Sequence, residues 1–222
     1  MSRPIYIGPS ILSADFARLG EQIQEAEAAR AGYNHFDVMD GQFVPPVTFG
    51  SVVLKSIRRY TTLPIDVHFM VVAPERYLAE YADAGADYLT VHVEATTHLH
   101  RTLSLARELG KKAGAALNPG TPLNVLTEVL HQLDLINVLA VNPGYSGQAF
   151  IPQSLAKISR LRRMLDGGQH AAILEVDGGV APATVKGVVD AGAEWVVAGS
   201  AVYNDRDTVA NNIAAIRQAA GE

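Results

Sequence analysis

Histidines and carboxylates recur in this chain two residues apart: His35-Phe36-Asp37, Asp66-Val67-His68, His92-Val93-Glu94 and Glu175-Val176-Asp177. On a strand, residues at that spacing point the same way, and the apolar residue between them points to the other face. A single pair of this kind is more often a hydrogen-bonded structural pair than a metal site. Three such pairs in one chain, with a fourth run that ends in Asp177 beside two glycines, carry more weight. Carboxylates gathered at one place repel each other unless a cation or shared protons offset the charge. The chain has no cysteine, so any metal must be held by His, Asp or Glu. That donor set suits zinc, iron(II), manganese or cobalt alike.

A second constellation suits an anion. Asn142-Pro143-Gly144-Tyr145-Ser146-Gly147-Gln148, Asp177-Gly178-Gly179 and Ala198-Gly199-Ser200-Ala201 each follow an apolar run. Glycines let backbone N–H groups approach a phosphate closely. None of the three stretches holds Lys or Arg, so the anion is expected to rest on backbone dipoles. Other acidic residues read as local structure. Asp40 before Gly41 suits a turn, and Asp15 before Phe16-Ala17-Arg18-Leu19 suits a helix N-cap.

The elements that must position these groups alternate along the chain. Strands are expected at Ile5–Leu12, His35–Met39, Ile65–Met70, Tyr88–Val93, Ala113–Asn118, Leu135–Val141, Ile173–Asp177 and Glu194–Ala198. Their Val, Ile, Leu and Ala content, without a polar alternate face, fits parallel strands buried on both sides. Amphipathic segments such as Leu19–Arg30, Leu99–Leu109 and Leu155–Leu165 lie between them. Three helix-to-strand junctions read alike, at Gly32, Gly85 and Gly192, and each glycine is expected to end its helix in the left-handed conformation, as is Gly110. Eight strand–helix units in 222 residues predict a single (β/α)8 barrel over residues 1–222, somewhat below the usual size of about 250 residues. An open doubly wound sheet would need a glycine-rich first turn, and the first strand here ends Pro9-Ser10-Ile11-Leu12-Ser13. In a barrel, catalytic groups gather at the carboxyl ends of the strands, and phosphate binds near the loops after strands 7 and 8.

Composition narrows the partners. Hydrophobic residues make up 48% and charged residues 18%, which suits a packed globular protein. A net charge of -5 argues against a nucleic-acid or anionic-membrane surface. The apolar run that follows Met1-Ser2-Arg3-Pro4 is too short to span a membrane and has no cleavage site after it. A cytoplasmic enzyme is the expectation.

Taken in order, Pro9–Phe16, His35-Phe36-Asp37-Val38-Met39-Asp40-Gly41, Phe43-Val44-Pro45, Asp66-Val67-His68-Phe69-Met70-Val71, Asn142–Gln148 and Val176-Asp177-Gly178-Gly179 resemble the ribulose-phosphate 3-epimerase family. The resemblance implies a phosphate-binding barrel holding one divalent metal on His35, Asp37, His68 and Asp177. It implies that Asp37 and Asp177 also act as the acid/base pair, interconverting D-ribulose 5-phosphate and D-xylulose 5-phosphate through a metal-stabilised enediolate without an organic cofactor. Ser10 and His68 would lie near the substrate oxygens, and Met39 and Met70 would form an apolar wall. Gly144, Tyr145, Ser146, Gly147, Gly178, Gly179, Gly199 and Ser200 would hold the phosphate. A homo-oligomer is implied as well.

The chain departs from the family pattern at Pro46, where Asn is usual, at Tyr145-Ser146-Gly147 in place of Phe-Gly-Gly, and at Leu139, where Met is common. None of these is one of the four metal positions. A hexulose phosphate such as D-allulose 6-phosphate would suit the same chemistry. The decarboxylases of related barrels carry Asp-x-Lys-x-x-Asp at strand 3, and Asp66-Val67-His68-Phe69-Met70-Val71 lacks that lysine and second aspartate. A catalytically silent sugar-phosphate sensor would be expected to have lost a ligand or a carboxylate, and all four positions are intact.

Overall fold

The computed structural model describes residues 3–222; Met1 and Ser2, which begin the N-terminal stretch read above, lie outside the described residues. Eight strands run in parallel: β1 (Tyr6–Pro9), β2 (Asn34–Met39), β3 (Ile65–Met70), β4 (Tyr88–His92), β5 (Lys112–Leu117), β6 (Leu135–Leu139), β7 (Ile173–Asp177) and β8 (Trp195–Ala198). Each pairs with its neighbour in chain order, β8 pairs with β1, and a bridge from Ser10 to His35 closes the ring between β1 and β2. Closure leaves no strand edge exposed. Seven α-helices surround it: α1 (Leu19–Ala28), α2 (Ser51–Ile57), α3 (Leu78–Ala84), α4 (Leu99–Glu108), α5 (Ser154–Gly167), α6 (Val185–Asp190) and α7 (Val209–Ala220).

Three expectations need correction. The fifth unit has no α-helix, only the short 3₁₀ turns Leu123–Leu126 and Leu130–Gln132. Pro119 and Pro122 remove donors and restrict the backbone in the first part of that connection. Gly85, Gly110 and Gly192 do adopt positive φ, but Gly32 does not. Arg30 takes the left-handed position at φ 67° instead. Gly32 is small for another reason: a Cβ there would lie 2.7 Å from the Tyr6 side chain.

The third correction concerns the strand faces. The outward residues, among them Phe36, Val38, Val67, Phe69, Val91, Ile136, Val138 and Val176, form the apolar layer against the helices. The inward positions are largely polar, and His35, Asp66, His68, Thr90, His92, Asn137 and Glu175 are all fully buried inside the barrel. β2, β3, β4 and β7 therefore alternate, with the polar face turned to the barrel axis, whereas β8 is apolar on both faces as expected. An aromatic plug closes the amino-terminal end below them. Tyr33 stacks on Trp195 at 3.9 Å between centroids, and Tyr88 meets Trp195 edge-on at 5.2 Å. Gly8 makes that stack possible, because a Cβ there would fall 2.1 Å from the Tyr33 ring. The plug shields the polar layer from solvent on that side and leaves the carboxyl-terminal mouth as its way out to water.

Candidate active site

At the carboxyl-terminal mouth, β2, β3 and β7 bring four side chains together. Donor atoms of His35, Asp37, His68 and Asp177 all lie within 4.8 Å of one another. Asp37 Oδ1 is 3.2 Å from His35 Nε2 and 3.1 Å from His68 Nδ1. Asp177 Oδ2 is 3.7 Å and 3.6 Å from the same two nitrogens. The Ser10 hydroxyl donates to Asp37 Oδ2 at 2.6 Å. Strand register explains the convergence: Asp37 is level with His68 across β2 and β3, and Ser10 is level with His35 across the closing bridge.

The two carboxyls are driven in opposite directions. Burial works against ionisation of Asp37, but the charge of His35 and hydrogen bonding with His68 hold it well below the ordinary carboxylate range. Burial pushes Asp177 up to about 6; the imidazoles oppose this, and the charges of Asp37 and Asp66 add to it. Two environments thus drive two carboxyls of the same type in opposite directions.

The cluster fits a divalent cation. His35 is fully buried, yet neither ring nitrogen has an aligned hydrogen-bond partner. Its Nε2 faces both aspartates, so an ion among the four donors would satisfy that nitrogen and offset the two carboxylates. Two imidazoles and two carboxylates form a donor set that divalent transition metals accept.

Above the cluster opens a cavity of about 190 Å³. Its lining includes Ser10, Asp37, Met39, Met70, Gly144, Tyr145, Ser146, Gly147, Asp177, Gly178, Gly179, Gly199 and Ser200, which are all the site residues expected from sequence except His35 and His68. Those two sit fully buried in its floor. Met39 and Met70 pack with Val44, Leu12 and Phe43 as an apolar wall, and Leu139 joins the lining. The far end is glycine-rich backbone. Gly179 has φ +66°, and a Cβ on it would sit 2.6 Å from the Phe150 backbone nitrogen, so only glycine fits. Ser13 and Ser146 share a hydrogen bond of 2.6 Å, tying the first loop to the sixth. The Gln148 amide donates to the carbonyls of Asn142 (2.6 Å) and Tyr145 (2.9 Å) and so shapes the sixth loop.

Two features escaped sequence reasoning. Arg206 lines the cavity from the loop before α7. The three loops read from sequence hold no cation, and Arg206 stands beyond the last of them between Asp205 and Asp207, a setting that suggests a solvated turn. The second is the pair His92 and Glu94, legible as a spacing but not as a contact. His92 Nε2 lies 2.9 Å from His68 Nε2, and His92 Nδ1 lies 3.0 Å from Glu94 Oε2. Asp40 and Asp15 behave as expected. Asp40 accepts from the backbone of Gln42, Phe43 and Val72, and Asp15 caps at Ala17.

Fold and site together define a parallel (β/α)8 barrel with a His/Asp cluster and an anion-ready cavity at its carboxyl-terminal mouth. Solved structures agree on the fold: the tryptophan synthase alpha-subunit of Pyrococcus furiosus superimposes with a TM-score of 0.72 over 100% of both chains, at 17% identity. The chain belongs to the ribulose-phosphate 3-epimerase family, whose model matches residues 6–203, and with it to the isomerases. It is 53% identical to the ribulose-phosphate 3-epimerase of Synechocystis sp., covering 92% of this chain and 90% of that protein. It is 50% identical to the Bacillus subtilis ribulose-phosphate 3-epimerase, covering 91% and 94%. The chloroplastic ribulose-5-phosphate-3-epimerase of Arabidopsis thaliana is 49% identical over 91% of this chain and 73% of its own. Among the described residues, no helix is long and apolar enough to cross a membrane.

Proposed function

We propose that residues 1–222 form a single catalytic domain that interconverts D-ribulose 5-phosphate and D-xylulose 5-phosphate, with His35, Asp37, His68 and Asp177 holding one divalent ion. The observation that carries this reading is the convergence of Asp37 and Asp177 from β2 and β7, with opposite shifts in acidity, beneath a cavity that ends in glycine-rich loops. When bound, the ion supplies Lewis-acid stabilisation of negative charge on the substrate's oxygens.

The residues of the chain do the rest. Inversion at carbon 3 needs a proton removed from one face and a proton delivered to the other. Asp37, kept ionised, takes the proton on its side. Asp177, on the opposite side, returns one, and the roles exchange in the reverse direction. Ser10 donates to Asp37 and fixes the carboxylate's orientation. Met39, Met70 and Leu139 keep water away from the carbanionic carbon. Gly144–Gly147, Gly178, Gly179, Gly199 and Ser200 anchor the phosphate by backbone N–H groups, and Arg206 adds a cation at the rim.

The test is Asp177→Asn. Its kcat is expected to fall by about 10³-fold or more, with the circular dichroism spectrum unchanged. Turnover within a few-fold of the parent would remove Asp177 from the acid/base pair.

A further inference from the structure

We propose that Glu94 and His92 form a relay that decides which nitrogen of His68 is free to bind the metal. The inference rests on the metal-binding reading above and extends it to two residues that do not touch the ion.

With an ion on the His68 nitrogen that faces Asp37 and Asp177, the geometry leaves one consistent placement of hydrogens. Glu94 Oε1 accepts from the Asn118 backbone N–H at 2.9 Å and from the Thr121 hydroxyl. Its other oxygen, Oε2, lies 3.0 Å from His92 Nδ1. A carboxylate with no proton can only accept, so His92 must donate from Nδ1. Burial opposes ionisation of Glu94, but hydrogen bonds from His92, Thr121 and Asn118 hold it down at about 2, so it remains a carboxylate. His68, with the ion on its site-facing nitrogen, keeps its hydrogen on Nε2 and donates it across the 2.9 Å to His92 Nε2. The lone pair of His68 is then on Nδ1, the nitrogen 3.1 Å from Asp37 and 3.6 Å from Asp177. The rings of His68 and His92 lie nearly parallel, 25° apart with centroids at 5.0 Å, which keeps the relay in register. Asp66 Oδ2 lies 3.0 Å from His35 Nδ1 but is not aligned for a hydrogen bond, so His35 has no comparable relay behind it.

Glu94→Gln is the informative variant, because it reverses the chain without removing it. The Asn118 N–H can only donate, so the carbonyl oxygen of the substituted amide must face Asn118 and its NH₂ must face His92. His92 then accepts at Nδ1 and donates from Nε2, and the His68 hydrogen moves to Nδ1, where it points into the metal site. Glu94→Ala merely frees His92 to choose.

The experiment titrates zinc(II) or manganese(II) into metal-free protein by calorimetry and records ring ¹⁵N shifts of histidine-labelled protein. For the zinc-loaded parent the His68 ring is expected in the Nε2–H form. E94Q is expected to move it to the Nδ1–H form and to weaken metal binding about 10- to 100-fold, more than E94A does. An E94Q protein with unchanged His68 shifts and unchanged affinity would overturn the relay. Should E94Q fail to fold, E94A carries the test through a mixed His68 tautomer signal, and a single unchanged form would equally overturn it. If the parent itself binds neither ion, the metal reading fails, yet the ring shifts still decide whether Glu94 sets the His68 tautomer.

Discussion

Asp37 and Asp177 share a side chain type, and their neighbours set them apart. Asp37 lies between two imidazoles and takes the Ser10 hydroxyl; Asp177 keeps longer distances to both rings. Pairs of titratable groups driven apart in this way mark acid and base assignments. Sequence spacing placed both aspartates on inward strand positions, and the family resemblance named them. Spacing alone could not show that His92 touches His68, because that contact depends on the stagger between β3 and β4. Arg206 was hidden for a related reason: it reaches the cavity from a loop well past the end of β8. Its role leads to a kinetic prediction. Arg206→Ala should raise the KM for ribulose 5-phosphate about tenfold, or about 1.4 kcal/mol, with kcat changed by no more than about twofold. Steady-state kinetics at two ionic strengths would check it, and an unchanged KM would remove Arg206 from the phosphate site.

At the scale of elements, β3 and β7 were legible to the residue, because Ile65–Met70 and Ile173–Asp177 are apolar runs bounded by clear breaks. The ends of β1 and β6 were read too long. Ile11–Ser13 and Ala140–Val141 continue the apolar runs, but the chain leaves the sheet there to form the loops that line the cavity. The helix expected after β5 fails for its prolines. The helix ends are also informative. Arg30 holds φ 67° after α1, which costs a residue with a Cβ about 1 kcal/mol. Arg30→Gly should therefore raise the melting temperature by about 2–4 °C, since its carbonyl, which accepts from Arg217, is retained. Differential scanning calorimetry would show it; a lower melting temperature would mean that the Arg30 side chain contributes more than its backbone costs.

Over the whole molecule, the barrel encloses a polar column between an aromatic plug and an open mouth. Glu175 belongs to that column, and burial together with the charge of Asp66 pushes it up to about 7. A cation bound only by the folded state adds stability by mass action. At a free ion concentration about 100 times its Kd the gain is about 2.7 kcal/mol, which for a chain of this size is a rise of about 5–10 °C in melting temperature. Chelator should reverse that rise, and His35→Ala should abolish it along with bound metal; an equal rise in H35A would remove His35 from the ligand set.

Proton NMR of D-ribulose 5-phosphate in heavy water, with metal-replete protein, tests the central claim most directly. The expected result is conversion to D-xylulose 5-phosphate with deuterium entering carbon 3, and loss of both after chelation. Conversion without deuterium at carbon 3, or no conversion with zinc, iron(II), manganese or cobalt restored, would contradict it.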